Sequence, residues 1–418
     1  HSEKFLTHIN LLNNLIKGLI GGQLGFIYFY LGYDIKAKET LEKSLSYLNK
    51  NYIEKNSKVA RILLNLGSVY RYLGHHEKAK KLIEKSLIIY KKSFSENHIE
   101  IAWSIVALGI VNRELGNYEK SKKLLEQSLL IYEKYFTENT LDIAWSLTQL
   151  GHTYKYLGNY QKSKNLLERA FKIYQKSFGD SHPKTALVFG YLGNVYMELG
   201  HYERAKKLIE TGYIINKDHY PENCLQQCWS LLNLGVIYQK LNNFEKAQSL
   251  IEQSVVTLEN LLESENIKLL DALVYLGEIY KERGYYEKAK SLFKKCLLMC
   301  EKRYGKQHLE IGRLLRSIGQ TYLKEGRLET AENLLKESLR ILQQNEHPDS
   351  YTCSESLAEV YLKKSIYTRE RGDTKVAQNF KIQAIDCLKQ ALEIVKANFT
   401  EDSPHVRRIQ FNLKILEQ

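Results

Sequence analysis

Two pairs of thiols are spaced to share a helix face: Cys224 with Cys228, and Cys296 with Cys300. Soft ligands placed i, i+4 could hold a metal. Their register argues for packing instead. Cys296 fills the position that Ser86, Ser128, Ala170 and Ser254 fill at multiples of 42 residues, and Cys228 fills that of Ala102, Ala144 and Ala186. All six cysteines are therefore read as structural thiols, and no metal site is expected. Their lack of framework spacing in so large a chain fits a reducing, cytoplasmic compartment.

Other chemistry is equally sparse. The stretch GLIGGQLG, Gly18 to Gly25, lacks the lysine that a phosphate loop requires, and no GxSxG, HExxH or paired CxxC occurs. The 12 histidines look scattered, and His75-His76 stands where other segments have Asn-Tyr at a turn, so both are expected at the surface. No catalytic residue and no cofactor is expected, and the chain is read as non-enzymatic.

Composition sets what must position any site. The chain has 418 residues, 44% hydrophobic and 26% charged, with only four prolines, which favours long helices. The net charge of +13 comes from cations placed singly, as on solvated helix faces. The apolar run Gly18 to Tyr33 is shorter than the roughly 20 residues of a membrane span. It is read as a buried repeat helix, and no membrane insertion is expected. The opening HSEKFLTH has neither Met nor a signal-peptide pattern, which suggests a processed form or part of something longer.

The organisation is a repeat of 42 residues. One glycine ladder runs Gly25, Gly67, Gly109, Gly151, Gly193, Gly235, Gly277 and Gly319. A second runs Gly32, Gly74, Gly116, Gly158, Gly200, Asn242, Gly284 and Gly326. Asparagine is the residue that best replaces glycine in a left-handed backbone, so the second ladder marks helix C-termini. The first lies inside a helical apolar period, where glycine costs about 1 kcal/mol against alanine, and implies close approach of a neighbouring helix. On that reading Gly193→Leu overpacks the contact, whereas Gly193→Ala is mild or stabilising. Small residues at Ala79, Ser121, Ser163, Ala205, Ala247, Ala289 and Ala331 follow twelve positions after the first ladder. Each unit reads helix, tight turn, helix, and such hairpins bury their apolar faces only by stacking.

Leu-Gly, a Tyr three residues on, a second Gly and then a segment such as YEKA resemble the tetratricopeptide repeat. The period and linkers such as FGDSHPKTA resemble the long-helix variety of kinesin light chains. The resemblance implies an all-α, right-handed superhelical solenoid of stacked antiparallel helix pairs. Residues 1–17 are then a lead-in or cap, 18–353 eight repeats, 354–400 a divergent ninth hairpin with both helices about two turns longer, and 401–418 a capping helix.

The resemblance also implies that the first helix of each repeat lines a concave groove. The slot six before the first-ladder glycine holds Arg61, Trp103, Trp145, Trp229, Asp271 and Arg313, including all three tryptophans of the chain. The slot two before it holds Asn65, Gln149, Tyr191, Asn233 and Tyr275, and the slot one after holds His152 and Asn194. Arg113 and Lys155 lie four residues after. Amides could bond a peptide backbone, tryptophans take apolar anchors and cations meet acidic groups. The alternative reading of the tryptophans is packing between adjacent first helices.

The expected function is a non-enzymatic scaffold that holds an extended peptide or a protein, with acidic and aromatic residues, in the groove. One alternative is a sensor or autoinhibitory array of a larger signalling nucleoside-triphosphatase. Another is nucleic-acid binding through a basic-aromatic face. The convex face and the ninth hairpin stay open as binding surfaces, as does the oligomeric state.

Overall fold

The structure is a computed structural model that describes residues 2–31, 33–48, 56–96, 98–136, 140–220, 224–261, 267–399, 401 and 403–417. Among the described residues every regular element is a helix. Those up to Thr153 fall in one compact unit and those from Tyr154 onward in a second. The first unit holds α1 (Ser2–Tyr30), α2 (Asp34–Ser46), α3 (Ser57–Tyr72), α4 (His76–Ser93), α5 (Ile99–Glu114), α6 (Tyr118–Tyr135) and most of α7 (Leu141–Tyr156). The second holds α8 (Tyr160–Phe178), α9 (Pro183–Glu198), α10 (Tyr202–His219), α11 (Leu225–Lys240), α12 (Phe244–Leu261) and α13 (Ile267–Glu282). It continues through α14 (Tyr286–Tyr304), α15 (Leu309–Lys324), α16 (Leu328–Gln344), α17 (Ser350–Glu370), α18 (Thr374–Asn398) and α19 (Pro404–Glu417).

The first glycine ladder sets each helix pair. A Cβ built at Gly25, Gly67, Gly109, Gly193, Gly235, Gly277 or Gly319 would lie between 2.4 and 2.9 Å from the side chain sixteen residues later, on the second helix. At Gly193 that side chain is Ile209, met at 2.5 Å, with the Ala205 carbonyl oxygen at 3.3 Å. The expectation of a mild Gly193→Ala is therefore corrected. The added methyl meets the branch of a buried isoleucine, not the free end of a flexible chain.

The second ladder closes each turn. At the end of α3, Gly74 has φ 89°, its amide donates to Arg71 O at 3.1 Å, and the His75 amide donates to Tyr70 O at 2.8 Å. This six-to-one closure is the Schellman arrangement. Asn242 takes φ 60° in the same role, as its residue type predicts. Gly32 lies outside the described residues.

Stacking adds hydrogen bonds at fixed offsets. Ser86, Ser254 and Ser338 hydroxyls donate to Ala60 O (2.7 Å), Cys228 O (3.0 Å) and Gly312 O (2.6 Å), each 26 residues earlier. Cys296 holds that slot with its thiol 3.9 Å from Leu270 O, and burial pushes this thiol up to about 12. So protonated a sulfur is a weak nucleophile and a weak metal ligand. Between repeats, Tyr196, Tyr238 and Tyr280 hydroxyls donate to Glu168, Glu210 and Glu252 at 2.7 to 3.1 Å.

Two expectations about histidine are corrected. His98, His182 and His308 are not scattered but share one register slot. Each accepts through Nδ1 the amide two residues on, at 3.1 to 3.3 Å, and so caps a first helix. Each ring also stacks on Phe94, Phe178 or Tyr304, with centroids 3.9 to 4.4 Å apart. His76 is not a surface residue: it is 3% exposed and its Nδ1 lies 3.0 Å from Glu114.

The apolar run in α1 is buried on one face only. Gly18, Gly22 and Gly25 pack against Leu48, Ile62 and Leu41, while Ile20, Leu24, Ile27 and Tyr30 are exposed. The expectation of a buried helix thus holds for its glycine face and fails for the other. No helix among the described residues is long and apolar enough to cross a membrane.

α17 and α18 have 21 and 25 residues, against 16 and 18 in α3 and α4. By length the second of them gains two turns and the first nearer one and a half. The second unit also touches itself over a long sequence distance. The His347 Nε2 donates to Tyr156 O at 3.1 Å, and the Tyr160 hydroxyl donates to Asp349 at 3.2 Å. One repeat further on, His405 Nε2 donates to Glu198 O at 2.8 Å. Pro348 closes on Gly158 and Pro404 on Gly200, where a Cβ would lie at 2.3 and 2.9 Å.

Gly193→Ala is expected to destabilise its neighbourhood by about 1–2 kcal/mol, overpacking outweighing the gain in helix propensity. Urea titration followed by circular dichroism checks it, and an unchanged or raised midpoint would show that the contact is not limiting.

Candidate functional site

In the first unit the structure brings Arg61 and Asn65 together with Gln23 on the walls of a cavity of about 470 Å³. Its apolar lining includes Leu19, Ile20, Ile62 and Phe94, and Ser57, Lys58, Tyr90 and Glu100 add to its polar part. Leu19 and Gln23 occupy in α1 the same two slots as Arg61 and Asn65 in α3. One period therefore builds one recess from two adjacent first helices.

The Arg61 guanidinium pairs with Glu100 and lies 4.9 Å from the centroid of the Trp103 ring. The Trp103 indole Nε1 donates to Asp142 at 2.9 Å. These two tethers share one offset of 39 residues, from the slot six before a glycine to the slot nine before the next. Arg113, 6% exposed, donates to the Gln149 carbonyl at 3.2 Å and to its side-chain oxygen at 3.1 Å. Trp145 and His152 lie half-buried on α7.

In the second unit Asn194 donates to Asn233 at 3.3 Å. Lys155 lies 3.7 Å from Glu198. Arg313 donates to Asp349 and to Glu310, each at 2.9 Å. The Asp349 tether spans 36 residues because the preceding loop has lost three. Asp349 is half-buried, and Arg313, His347 and Arg316 hold its carboxyl well below the usual range. Tyr191 and Trp229 are half-buried on α9 and α11.

The step between Asp271 and Glu310 breaks the pattern. It has the same 39-residue offset, but an acid faces an acid. Burial and then the Glu310 charge push the Asp271 carboxyl up to about 7, with Lys155 and Arg313 pulling it back. Burial and the Asp271 charge also push the Tyr275 hydroxyl up. The charges of Lys155 and Arg313 thus both act on the Asp271 carboxylate.

Sequence reasoning missed the acidic partners Glu100, Asp142, Glu310 and Asp349. The signal was their recurrence nine residues before the first-ladder glycine, visible only when paired with the slot six before. Among the described residues no three His, Cys, Asp or Glu side chains are grouped to hold a metal ion.

Because Asp271 is raised in the folded chain, its contribution to stability is full below about pH 4 and is lost as pH rises through about 7. Asp271→Asn should therefore match the parent near pH 4 and exceed it above pH 7, by on the order of 2 kcal/mol. Urea midpoints across that range check this; parallel curves for the two proteins would remove Asp271 from the balance.

A Tetratricopeptide repeat profile matches residues 19–92, 58–134, 142–215 and 268–344, and a second of the same description matches 230–263. A search of curated proteins finds no match. A solved Rap protein complexed with Competence and Sporulation Factor is similar at TM-score 0.62 and 13% identity, covering 90% of this chain and 99% of that one. The Rap conjugation gene regulator of plasmid pLS20, in complex with the Phr* peptide, gives TM-score 0.51 and 15% identity over 92% of this chain and 99% of that one. TPR-like repeats of a Podosopora anserina kinesin light chain-type protein give 0.38 and 23%, covering 50% and 99%. At these identities the two Rap structures share a fold with this chain and no more is drawn from them. With glycine ladders in this geometry and a repeat profile that spans most of its length, the chain belongs to the tetratricopeptide repeat family.

Proposed function

We propose that this chain is a non-enzymatic scaffold that binds an extended peptide segment on the first-helix face of its first unit. The cavity between α1 and α3 carries this reading. Its volume, about 470 Å³, lies within the range of small-ligand sites, roughly 300–1,000 Å³, and suits one or two bulky side chains. Apolar walls at Leu19, Ile62 and Phe94 favour an aromatic or branched anchor. Gln23 and Asn65 offer amides that can both donate to and accept from a peptide backbone. Lys58 at the polar side favours an acidic residue beside the anchor.

Two observations bear on the alternatives. The tetratricopeptide repeat is a binding architecture, and the Rap proteins similar in fold have been solved with a factor and with a peptide bound. Nucleic-acid binding would draw on the inner-face cations, and Arg61, Arg113 and Arg313 already serve as tethers to the next repeat. A basic-aromatic nucleic-acid face is therefore the weaker reading.

An array of extended peptides carrying an aromatic residue flanked by Asp or Glu tests the proposal. Such peptides should bind the parent chain. A Gln23→Ala, Asn65→Ala double variant should bind them at least about tenfold more weakly, since two amide hydrogen bonds are worth on the order of 1–3 kcal/mol. Binding that ignores the double variant, or that prefers peptides without an anchor, would move the site elsewhere.

A further inference from the structure

The two long-range contacts of the second unit repeat one design. In each, a loop leading into a first helix closes on a turn that ends an earlier one. A proline meets the turn glycine, and a histidine Nε2 meets the carbonyl two residues before that glycine. His347 and Pro348 take Tyr156 O and Gly158; His405 and Pro404 take Glu198 O and Gly200. Aromatic rings join the two contacts. The Phe399 centroid lies 5.6 Å from that of Tyr160, 6.0 Å from Tyr351 and 5.1 Å from His405.

Both nitrogens of His347 are committed in a way that only the neutral ring permits. Nδ1 accepts the Asp349 amide at 3.1 Å, so the proton sits on Nε2, which donates to Tyr156 O at 3.1 Å. A second proton, on Nδ1, would displace that amide and leave a cation whose Nε2 is 3.4 Å from the Arg313 guanidinium. Burial lowers His347 to about 4, the ring being 3% exposed, and the Arg313 charge acts in the same direction. The charges of Asp349, of Glu310 on α15 and of Glu198 at the end of α9 oppose them. Asp349, 3.6 Å from Nδ1, is already engaged by Arg313 at 2.9 Å and by the Tyr160 hydroxyl at 3.2 Å. His405 is lowered too, by burial and by the charges of Arg408 and Lys240, against the Glu198 carbonyl and carboxylate. Its Nδ1 stands 3.2 Å from the Tyr351 hydroxyl.

We propose that this closure is a proton-operated latch: on acidification His347 and His405 take up protons, and the segments 346–350 and 403–405 part from the turns at Gly158 and Gly200. In the open form each ring meets water and regains the ordinary histidine value of about 6.5. Closed His347 binds its second proton only near pH 4, so the latch holds fully above about pH 6.5 and weakens as pH falls toward 4. At about pH 5 the ratio of closed to open chains is lower by about thirtyfold through His347 alone. The proton that Asp271 takes up over the same range acts with the opposite sign, because burial raises that carboxyl.

Hydrogen exchange of the full chain, read by mass spectrometry and corrected for the intrinsic rate at each pH, tests this. Protection of the turn at 156–160 should fall at least about tenfold between about pH 7.5 and about pH 5. The turn at Gly284, where a Cβ would meet nothing within 4 Å, should stay level. His347→Gln keeps a donor for Tyr156 O and cannot titrate, so it should remove most of the decline at 156–160. His347→Asn keeps an acceptor for the Asp349 amide, as Asn56 is for Lys58, but is too short for Tyr156 O. It should lower protection of 156–160 already at about pH 7.5. Level protection of that turn in the parent overturns the proposal, as does a decline that persists undiminished in a folded His347→Gln chain. Should neither variant fold, the parent decides alone: a decline shared equally by the Gly284 turn is a general loosening in acid, and it overturns the latch as well.

Discussion

Everything in this fold depends on how closely two helices approach at a residue without a side chain. At Gly67, Gly109 or Gly193 the first helix lies against Ile83, Leu125 or Ile209 at a distance that no Cβ could occupy. That contact fixes the pitch of each hairpin. With the pitch fixed, a tyrosine three residues on reaches the glutamate of the previous second helix, and a buried serine reaches the carbonyl of its own first helix. Interiors packed to this density accept small changes poorly, so the period has been held without a slip through eight glycines.

The same regularity governs the inner face. Because one repeat follows another at constant geometry, the side chain six before the glycine can reach the residue nine before the next one. Arg61 and Trp103 meet the acids Glu100 and Asp142 there and tie two repeats together. The acid pair Asp271 and Glu310 shows what the geometry imposes when the residue types do not match it. Burial and the Glu310 charge push the Asp271 carboxyl up to about 7. Several residues that face inward are thus tethers first.

Most of the architecture was legible in the sequence, for a physical reason. Glycine and asparagine at a left-handed turn, and glycine inside an apolar period, each have few explanations, so two ladders were enough to define the hairpin. Less of the inner face could be read. The slot of Arg61 and Trp103 was identifiable from the period, but its acids sit on another helix, and the offset that joins them appears only when two periodicities are compared. His76 looked like a turn residue because its partner, Glu114, belongs to the next repeat. The apolar face of α1 looked buried because an apolar pattern records that a helix expects a neighbour, not that one is present. Contacts between Pro348 and Gly158 leave no periodic trace at all.

Those last contacts change what kind of object the second unit is. An open stack of repeats behaves as a one-dimensional chain in which each unit senses only its neighbours and the ends fray independently. His347 on the Tyr156 carbonyl and His405 on the Glu198 carbonyl join segments about 190 and 207 residues apart. A stack so joined is a ring in its energetics. Loss of a terminal hairpin also removes a contact at the opposite end, so fraying is coupled to the disruption of distant repeats and unfolding becomes more cooperative. Closing the ring requires ordering a very long loop before the contact rewards it, so this step belongs late in folding.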